Sequence, residues 1–193
     1  MAVEYELKYR ATPETLERIQ ADFPGNYTVT EMTTTYYDTP GADLSKLFWT
    51  LRHRREGEKH ICTLKTPAGI DGRSEYEWNC ESIQEAIPHL CRLSRSNALA
   101  QLAERGLVQT CGARFTRTSR IFYAGSTMAE LALDSGVLIN GEKEQAFAEV
   151  ELELKQGFRE EVNVMGHLLA AAYELVPENQ SKFARARELG AQK

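Results

Sequence analysis

Charged and apolar positions alternate with period two at both ends of this chain. Val3-Glu4-Tyr5-Glu6-Leu7-Lys8-Tyr9 sets Glu4, Glu6 and Lys8 on one face and Val3, Tyr5, Leu7 and Tyr9 on the other. The design returns in Glu149-Val150-Glu151-Leu152-Glu153-Leu154-Lys155 and, more briefly, in Glu75-Tyr76-Glu77-Trp78. A half-buried strand ordinarily turns an apolar face to a core and a mixed polar face to water. Three separated strands with carboxylates along one face need a common cationic environment, because neighbouring carboxylates otherwise repel one another.

The segments between these strands follow in order. Thr12 caps a helix with Pro13 at its first position, Leu16, Ile19 and Phe23 form its buried stripe, and Pro24-Gly25 ends it. Residues 27–38, rich in Thr, Val and Tyr, read as a strand ending in the turn Asp38-Thr39-Pro40-Gly41. Residues 47–55 place Arg52 and Arg54 opposite Trp49 and Leu51, and a hairpin at Glu56-Gly57-Glu58 leads into a strand over 59–66 carrying Thr63 and Lys65. A loop with Pro67, Gly69 and Gly72 precedes the strand of Glu75 and Glu77, over 73–79. Residues 82–105 are helical, with Ser82 as cap and Pro88 and Ser94 as interruptions. Strands follow over 108–123, 128–134 and 145–155. The stripe Val162, Met165, Leu168, Leu169 and Ala172 marks a core-facing helix over 159–175, and Ser181 opens a short terminal helix. Asp38 reads as a turn stabiliser, Tyr36 and Tyr37 as packing residues, and Cys62 as a core thiol.

The predicted class is α+β, an eight-stranded antiparallel β-barrel in one domain over 1–193. Its polarity follows from the helices. At least three of them need an apolar surface, which the outer face offers through Tyr5, Leu7, Trp49, Leu51, Trp78, Val150 and Leu152. The charged faces then turn inward. Composition changes this picture little: 42% hydrophobic and 26% charged residues are ordinary for a soluble globular chain of 193 residues. A net charge of −5 argues against a general nucleic-acid binder. Neither a signal peptide nor a membrane span is expected. Cys62, Cys80, Cys91 and Cys111 lack paired spacing and read as reduced thiols of a cytoplasmic protein, and the four scattered histidines argue against a zinc site.

An inward charged face collects Glu4, Glu6, Glu75, Glu77, Asp134, Glu149 and Glu151 with Lys8, Arg52, Arg54 and Lys65. So many buried charges demand pairing, ligand or metal. Carboxylate oxygens suit Mg²⁺ or Mn²⁺, and clustered Arg and Lys suit a polyanion, so the combination points to a metal-bound polyphosphate.

Glu4-x-Glu6-x-Lys8 resembles the signature of the CYTH, or triphosphate tunnel metalloenzyme, superfamily. The resemblance continues in order through Tyr36-Tyr37-Asp38-Thr39, Leu51-Arg52-x-Arg54, Leu64-Lys65, Glu75-x-Glu77, Arg117, Leu133-Asp134, Glu149-x-Glu151-x-Glu153 and Ser181-Lys182-x-x-Arg185. It implies an eight-stranded tunnel that binds triphosphate with a divalent metal ion. Carried over by position, Glu4, Glu6, Asp134, Glu149 and Glu151 would hold metal. Glu75 and Glu77 would hold metal or position water. Lys8, Arg52, Arg54, Lys65 and Arg117 would neutralise triphosphate, with Lys182 and Arg185 reaching in from the terminal helix. Arg114 and Arg120 lie on the opposite parity to Arg117, and a bulge could exchange them; Glu153 falls either in the lumen or at its mouth. The activities implied are a triphosphatase acting on a small-molecule triphosphate, a class IV-type adenylate cyclase of the same fold, or a non-catalytic polyphosphate or nucleotide sensor. Oligomeric state stays open between monomer and homodimer.

Overall fold

The computed structural model describes residues 5–68 and 72–191. Val3, Glu4 and Gly69 lie outside the described residues. Pro67 and Gly72, expected in a loop, instead extend the β-ladder, with Pro67 opposite Arg73 and Ala68 opposite Gly72. In chain order the elements are β1 (Glu6–Arg10), α1 (Pro13–Asp22), β2 (Thr28–Asp38), α2 (Asp43–Lys46), β3 (Thr50–Glu56), β4 (Lys59–Ala68), β5 (Gly72–Asn79), α3 (Ile83–Ser94), α4 (Ala98–Ala103), β6 (Val108–Ala124), β7 (Thr127–Asn140), β8 (Lys143–Gln156), α5 (Arg159–Tyr173), β9 (Val176–Pro177) and α6 (Lys182–Ala191). The strands form one antiparallel sheet in the order β5-β4-β3-β2-β6-β7-β8-β1-β9. Eight of them are the expected ones. The ninth is a two-residue strand that pairs Pro177 with Tyr9 and Val176 with Arg10, fastening the chain leaving α5 beside β1.

Local chemistry explains the helix boundaries. The Thr15 amide donates to the Thr12 hydroxyl at 3.2 Å, and the Glu85 amide donates to the Ser82 hydroxyl at 3.3 Å, so both expected caps form. Pro88 sits inside α3 without ending it. The break comes instead at Arg95, in the left-handed region at φ 54°. Asp38 organises the short α2, which the residue pattern does not announce. Its carboxylate accepts from the amides of Thr39, Leu44 and Ser45 and from the Ser45 hydroxyl.

The strand extents differ most at β7, which runs to Asn140 rather than stopping at Asp134. Gly136 lies in the added half and continues the strand. A Cβ there would stand 2.2 Å from the Arg114 carbonyl oxygen and 2.4 Å from the Phe115 Cα. The glycine permits close approach of β6.

Packing follows the inward-charged polarity. On the outer face of β1, β7 and β8, Leu7, Tyr9, Leu131, Leu133, Val150 and Leu152 pack beneath Leu16 and Ile19 of α1 and Val162 and Leu169 of α5. On the outer face of β3 to β5, Leu51, Cys62, Leu64, Tyr76 and Trp78 pack beneath α3 and α4 through Ile83, Ala86, Leu90 and Leu99. Each fully buried Leu or Ile in these layers contributes about 1.5–3 kcal/mol. The terminal helix is the exception. Through Phe183 and Ala186, α6 packs on the inner face against Met32, Tyr36, Ala113, Phe115, Leu138 and Phe147. It fills one end of the sheet's concave side. Among the described residues no helix is long and apolar enough to cross a membrane.

Candidate active-site cavity

The concave face encloses a cavity of about 530 Å³. Every strand from β1 to β8 contributes lining side chains, and α6 supplies Lys182 and Phe183. Period-two geometry does this: with Leu7, Leu51, Leu64, Tyr76, Leu133 and Val150 committed to the outer layers, their neighbours in the strands point inward.

One wall is carboxylate-rich. Glu6, Glu130, Glu151 and Glu153 line it; next to Glu151, which is 8% exposed, the cross-strand partners Asp134 on β7 and Glu149 on β8 are fully buried. Cations from two directions meet this group. Arg117, opposite Asp134 on β6, donates from Nε and a terminal nitrogen to the two Asp134 oxygens at 2.8 and 2.7 Å, and also contacts Glu151. Lys182 Nζ donates to Asp134 at 2.8 Å, to Glu151 at 2.9 Å and to Glu149. Arg185 donates to the other Glu149 oxygen. Burial pushes the Glu151 carboxyl up, but Lys182, Arg117 and Lys8 outweigh it and hold the group well below the usual range. For Glu149, burial with Glu151 nearby wins over Lys182 and Arg185 and raises it. Burial alone would lower Arg117, yet Asp134 and Glu151 hold it well above its ordinary value.

The opposite wall is basic. Arg52 and Arg54 on β3 and Lys65 on β4 face the cavity with Arg73, Glu75 and Glu77 of β5. Glu75 binds Lys65 at 3.2 Å and Arg52 at 3.3 Å. Glu77 accepts from the Thr63 hydroxyl at 3.0 Å and keeps a half-exposed side chain. Arg54 has weaker partners, Thr34 at 3.2 Å and Glu56 at 3.5 Å. Burial lowers its affinity for a proton, and the charges of Arg52 and Arg117 lower it further. Arg52 Nε and Arg185 Nε are buried without a hydrogen-bond acceptor. Arg52 lines the cavity, and its unmatched donor and the crowded cations beside it are suited to an incoming anion.

The sequence-derived residues therefore separate into groups. Asp134, Glu149, Glu151, Arg117, Lys182 and Arg185 converge in one buried network. Glu6 faces the same cavity but pairs with Lys8 at 3.2 Å instead of joining the three carboxylates. Glu75 and Glu77 stand on the basic wall. Arg114 pairs with Glu144 at the surface, and Arg120 donates to the carbonyls of Phe23 and Pro24, so Arg117 alone of the three lines the cavity. Glu153 also lines it and pairs with Lys155 at 2.7 Å.

Further lining charges went unassigned from sequence. Glu130 and Lys155 form a pair at 2.8 Å, and Glu56 and Arg73 face inward on β3 and β5. Strand parity could have found all four, since each lies an even number of residues from an assigned one. Glu178 carried no such signal. It is 6% exposed and accepts from Arg10 Nε at 2.9 Å, with Arg185 at 3.8 Å.

Asp134, Glu149 and Glu151 each offer an oxygen within 4.8 Å of the others. Such a set of hard oxygen ligands suits Mg²⁺ or Mn²⁺. The ammonium group bound to all three carboxylates is a stand-in cation at that point. The residues fit a divalent ion.

Comparison with known proteins agrees with this architecture. An inorganic triphosphatase from Haemophilus influenzae is 30% identical over 99% of this chain, and the chain spans 56% of that relative's length. A candidate adenylate cyclase from Bacillus halodurans shares the fold with a TM-score of 0.65 at 20% identity, covering 95% of this chain and 96% of the other. A candidate adenylyl cyclase from Hippeastrum, described as having a dominant triphosphatase activity, superposes with a TM-score of 0.65 at 18% identity over 97% and 96% of the two chains. The family model of the CYTH domain matches residues 2–186, and with a charged cavity inside a curved antiparallel sheet, this chain belongs to the CYTH family.

Proposed function

We propose that the protein hydrolyses triphosphate within this cavity with the help of Mg²⁺ or Mn²⁺, converting inorganic triphosphate to phosphate and pyrophosphate. One observation carries the reading: a buried group of three carboxylates with oxygens close enough to share a cation reaches, through Glu151, the cavity that Arg52, Arg54 and Lys65 line. The name of the Haemophilus influenzae relative supports it.

Arg52, Arg54 and Lys65 hold the phosphate chain from one side, while Lys8, Arg117 and Lys182 reach it from the other. Fixing the chain between two walls aligns the terminal phosphorus for in-line attack. The guanidinium groups stabilise charge that spreads over the equatorial oxygens of the transferring phosphoryl group. When bound, a divalent ion would supply further neutralisation of phosphate charge and would acidify the attacking water. Asp134, Glu149 and Glu151 would hold it. Glu77, anchored by Thr63 and half-exposed, orients the water and takes its proton. Pyrophosphate is the leaving group, and no protein nucleophile is required.

The lining favours an inorganic chain over a nucleotide. Its aromatic rings are Tyr36 and Phe183, whose centroids lie 4.9 Å apart in contact with each other. Neither offers a free platform for a base. The scattered spacing of the four cysteines supports a reducing compartment such as the cytoplasm.

The test is a substrate panel of inorganic triphosphate, ATP and thiamine triphosphate, each with Mg²⁺, with Mn²⁺ and with chelator. Metal-dependent phosphate release from inorganic triphosphate, with little from the others, is expected. Cyclic AMP formation from ATP, or binding of triphosphate without turnover, would overturn the assignment.

A further inference from the structure

We propose that Lys182 is a resident counter-cation which keeps the Asp134–Glu149–Glu151 group from taking a divalent ion until a bound polyphosphate draws the ammonium away. Anion binding and metal binding are then coupled through one side chain. The inference rests on the metal-dependent reading above.

Geometry comes first. Lys182 Nζ contacts one oxygen from each of the three carboxylates, Asp134 Oδ2 at 2.8 Å, Glu151 Oε1 at 2.9 Å and Glu149 Oε1. A divalent ion at this point would use the same oxygens at about 2.0–2.1 Å for Mg²⁺. The two cations cannot both be served. Rings reinforce the ammonium position, with the Phe115 and Phe147 centroids 4.9 and 5.5 Å from Nζ.

Charge gives the same answer. Three carboxylates are matched by three cations, Lys182, Arg117 and Arg185. A divalent ion added to this neutral group would leave it positive in a poorly solvated site. A polyphosphate in the cavity reverses the balance by competing for the cations. Lys182 is the one able to answer. Arg117 also lines the cavity but keeps a two-bond fork on Asp134, and Arg185 is not among the lining residues, whereas Lys182 lines the cavity with a point charge on a flexible stem at the first position of α6.

The measurement is a Mn²⁺ titration followed by electron paramagnetic resonance, on metal-free protein with no phosphate present. Lys182→Met should bind Mn²⁺ about ten-fold or more tighter than the unaltered protein, and adding Glu151→Gln to it should abolish the gain. A second titration uses sulfate, an anion that chelates Mn²⁺ only weakly, at constant ionic strength. Sulfate should tighten Mn²⁺ binding by the unaltered protein clearly more than by Lys182→Met; circular dichroism checks the variant's fold. If the variant does not fold, the sulfate response of the unaltered protein decides, and a flat response overturns the proposal. Equal Mn²⁺ affinities in both proteins, lost on Glu151→Gln, would refute the counter-cation role and leave the metal reading standing. No Mn²⁺ binding by either protein, with or without sulfate, would remove both.

Discussion

Arg117 and Asp134 face each other directly across β6 and β7, and the guanidinium closes on the carboxylate with two bonds of 2.8 and 2.7 Å. Asp134 is fully buried, so its charge depends on partners within the protein. Arg117→Met removes the bidentate partner, and thermal or urea unfolding of the metal-free protein should show a loss of about 3–5 kcal/mol. Arg117→Lys keeps the charge without the fork and should lose less. Equal stability of Arg117→Met and the unaltered protein would mean that the pair does not hold the carboxylate wall together.

Arg54 should behave in the opposite sense. Burial and the charges of Arg52 and Arg117 disfavour its cationic form, and its partners at 3.2 and 3.5 Å are weak compensation. Arg54→Met is expected to unfold at an equal or higher temperature than the parent when no anion is present. The same variant should bind triphosphate at least ten-fold more weakly by calorimetry, since a charge-assisted contact contributes about 1.5–3 kcal/mol. A destabilised variant with full affinity would contradict both halves.

Glu149 and Glu151 should leave opposite marks on the pH dependence of stability. Glu151 titrates lower folded than unfolded, so its contribution is present above the ordinary carboxyl value of 4.5 and is lost as pH falls toward the folded value. Glu149 titrates higher folded than unfolded, so its contribution is complete below 4.5 and is lost as pH rises through the folded value. In metal-free protein at pH 7, Glu151→Gln should lower the melting temperature, and Glu149→Gln should leave it level or raise it. Melting curves from pH 3 to 8 would test this, and the same sign for both variants would contradict it.

These contrasts show how far the residues themselves announced the site. Alternation in 149–155 separated Val150 and Leu152, which pack beneath α1 and α5, from Glu149 and Glu151, which turn inward. The strand period alone decided that. Gly136 hid half of β7, because a glycine admitting close backbone approach reads the same as one ending a strand. The inner position of α6 was equally hidden: Phe183 and Ala186 make an apolar stripe that would suit either face of the sheet. Lys182 was expected to reach toward the ligand. That its ammonium rests among three carboxylates depends on contacts from β7 and β8, which lie more than thirty residues away in the chain.

Glu178 links the entry of α6 to the first strand. Its amide donates to the Lys8 carbonyl at 2.8 Å, its carboxylate holds Arg10 at 2.9 Å, and it accepts from the Gln180 amide at 2.8 Å. Glu178→Ala removes the carboxylate from these contacts and should loosen α6 while β3 to β5 stay protected. Amide hydrogen exchange would read this as faster exchange over 182–191. Unchanged protection there would mean that Phe183 and Ala186 alone seat the helix.

Phosphorus NMR of inorganic triphosphate with the protein and Mg²⁺ tests the central claim most directly. The triphosphate resonances should give way to phosphate and pyrophosphate in equal amounts, turnover should stop on chelation, and Arg52→Met and Glu151→Gln should each slow it by two orders of magnitude or more, on the order of 3 kcal/mol of transition-state stabilisation. Triphosphate left intact by the unaltered protein, or hydrolysis at an undiminished rate in both variants, would contradict a cavity in which the two charged walls act together on the phosphate chain.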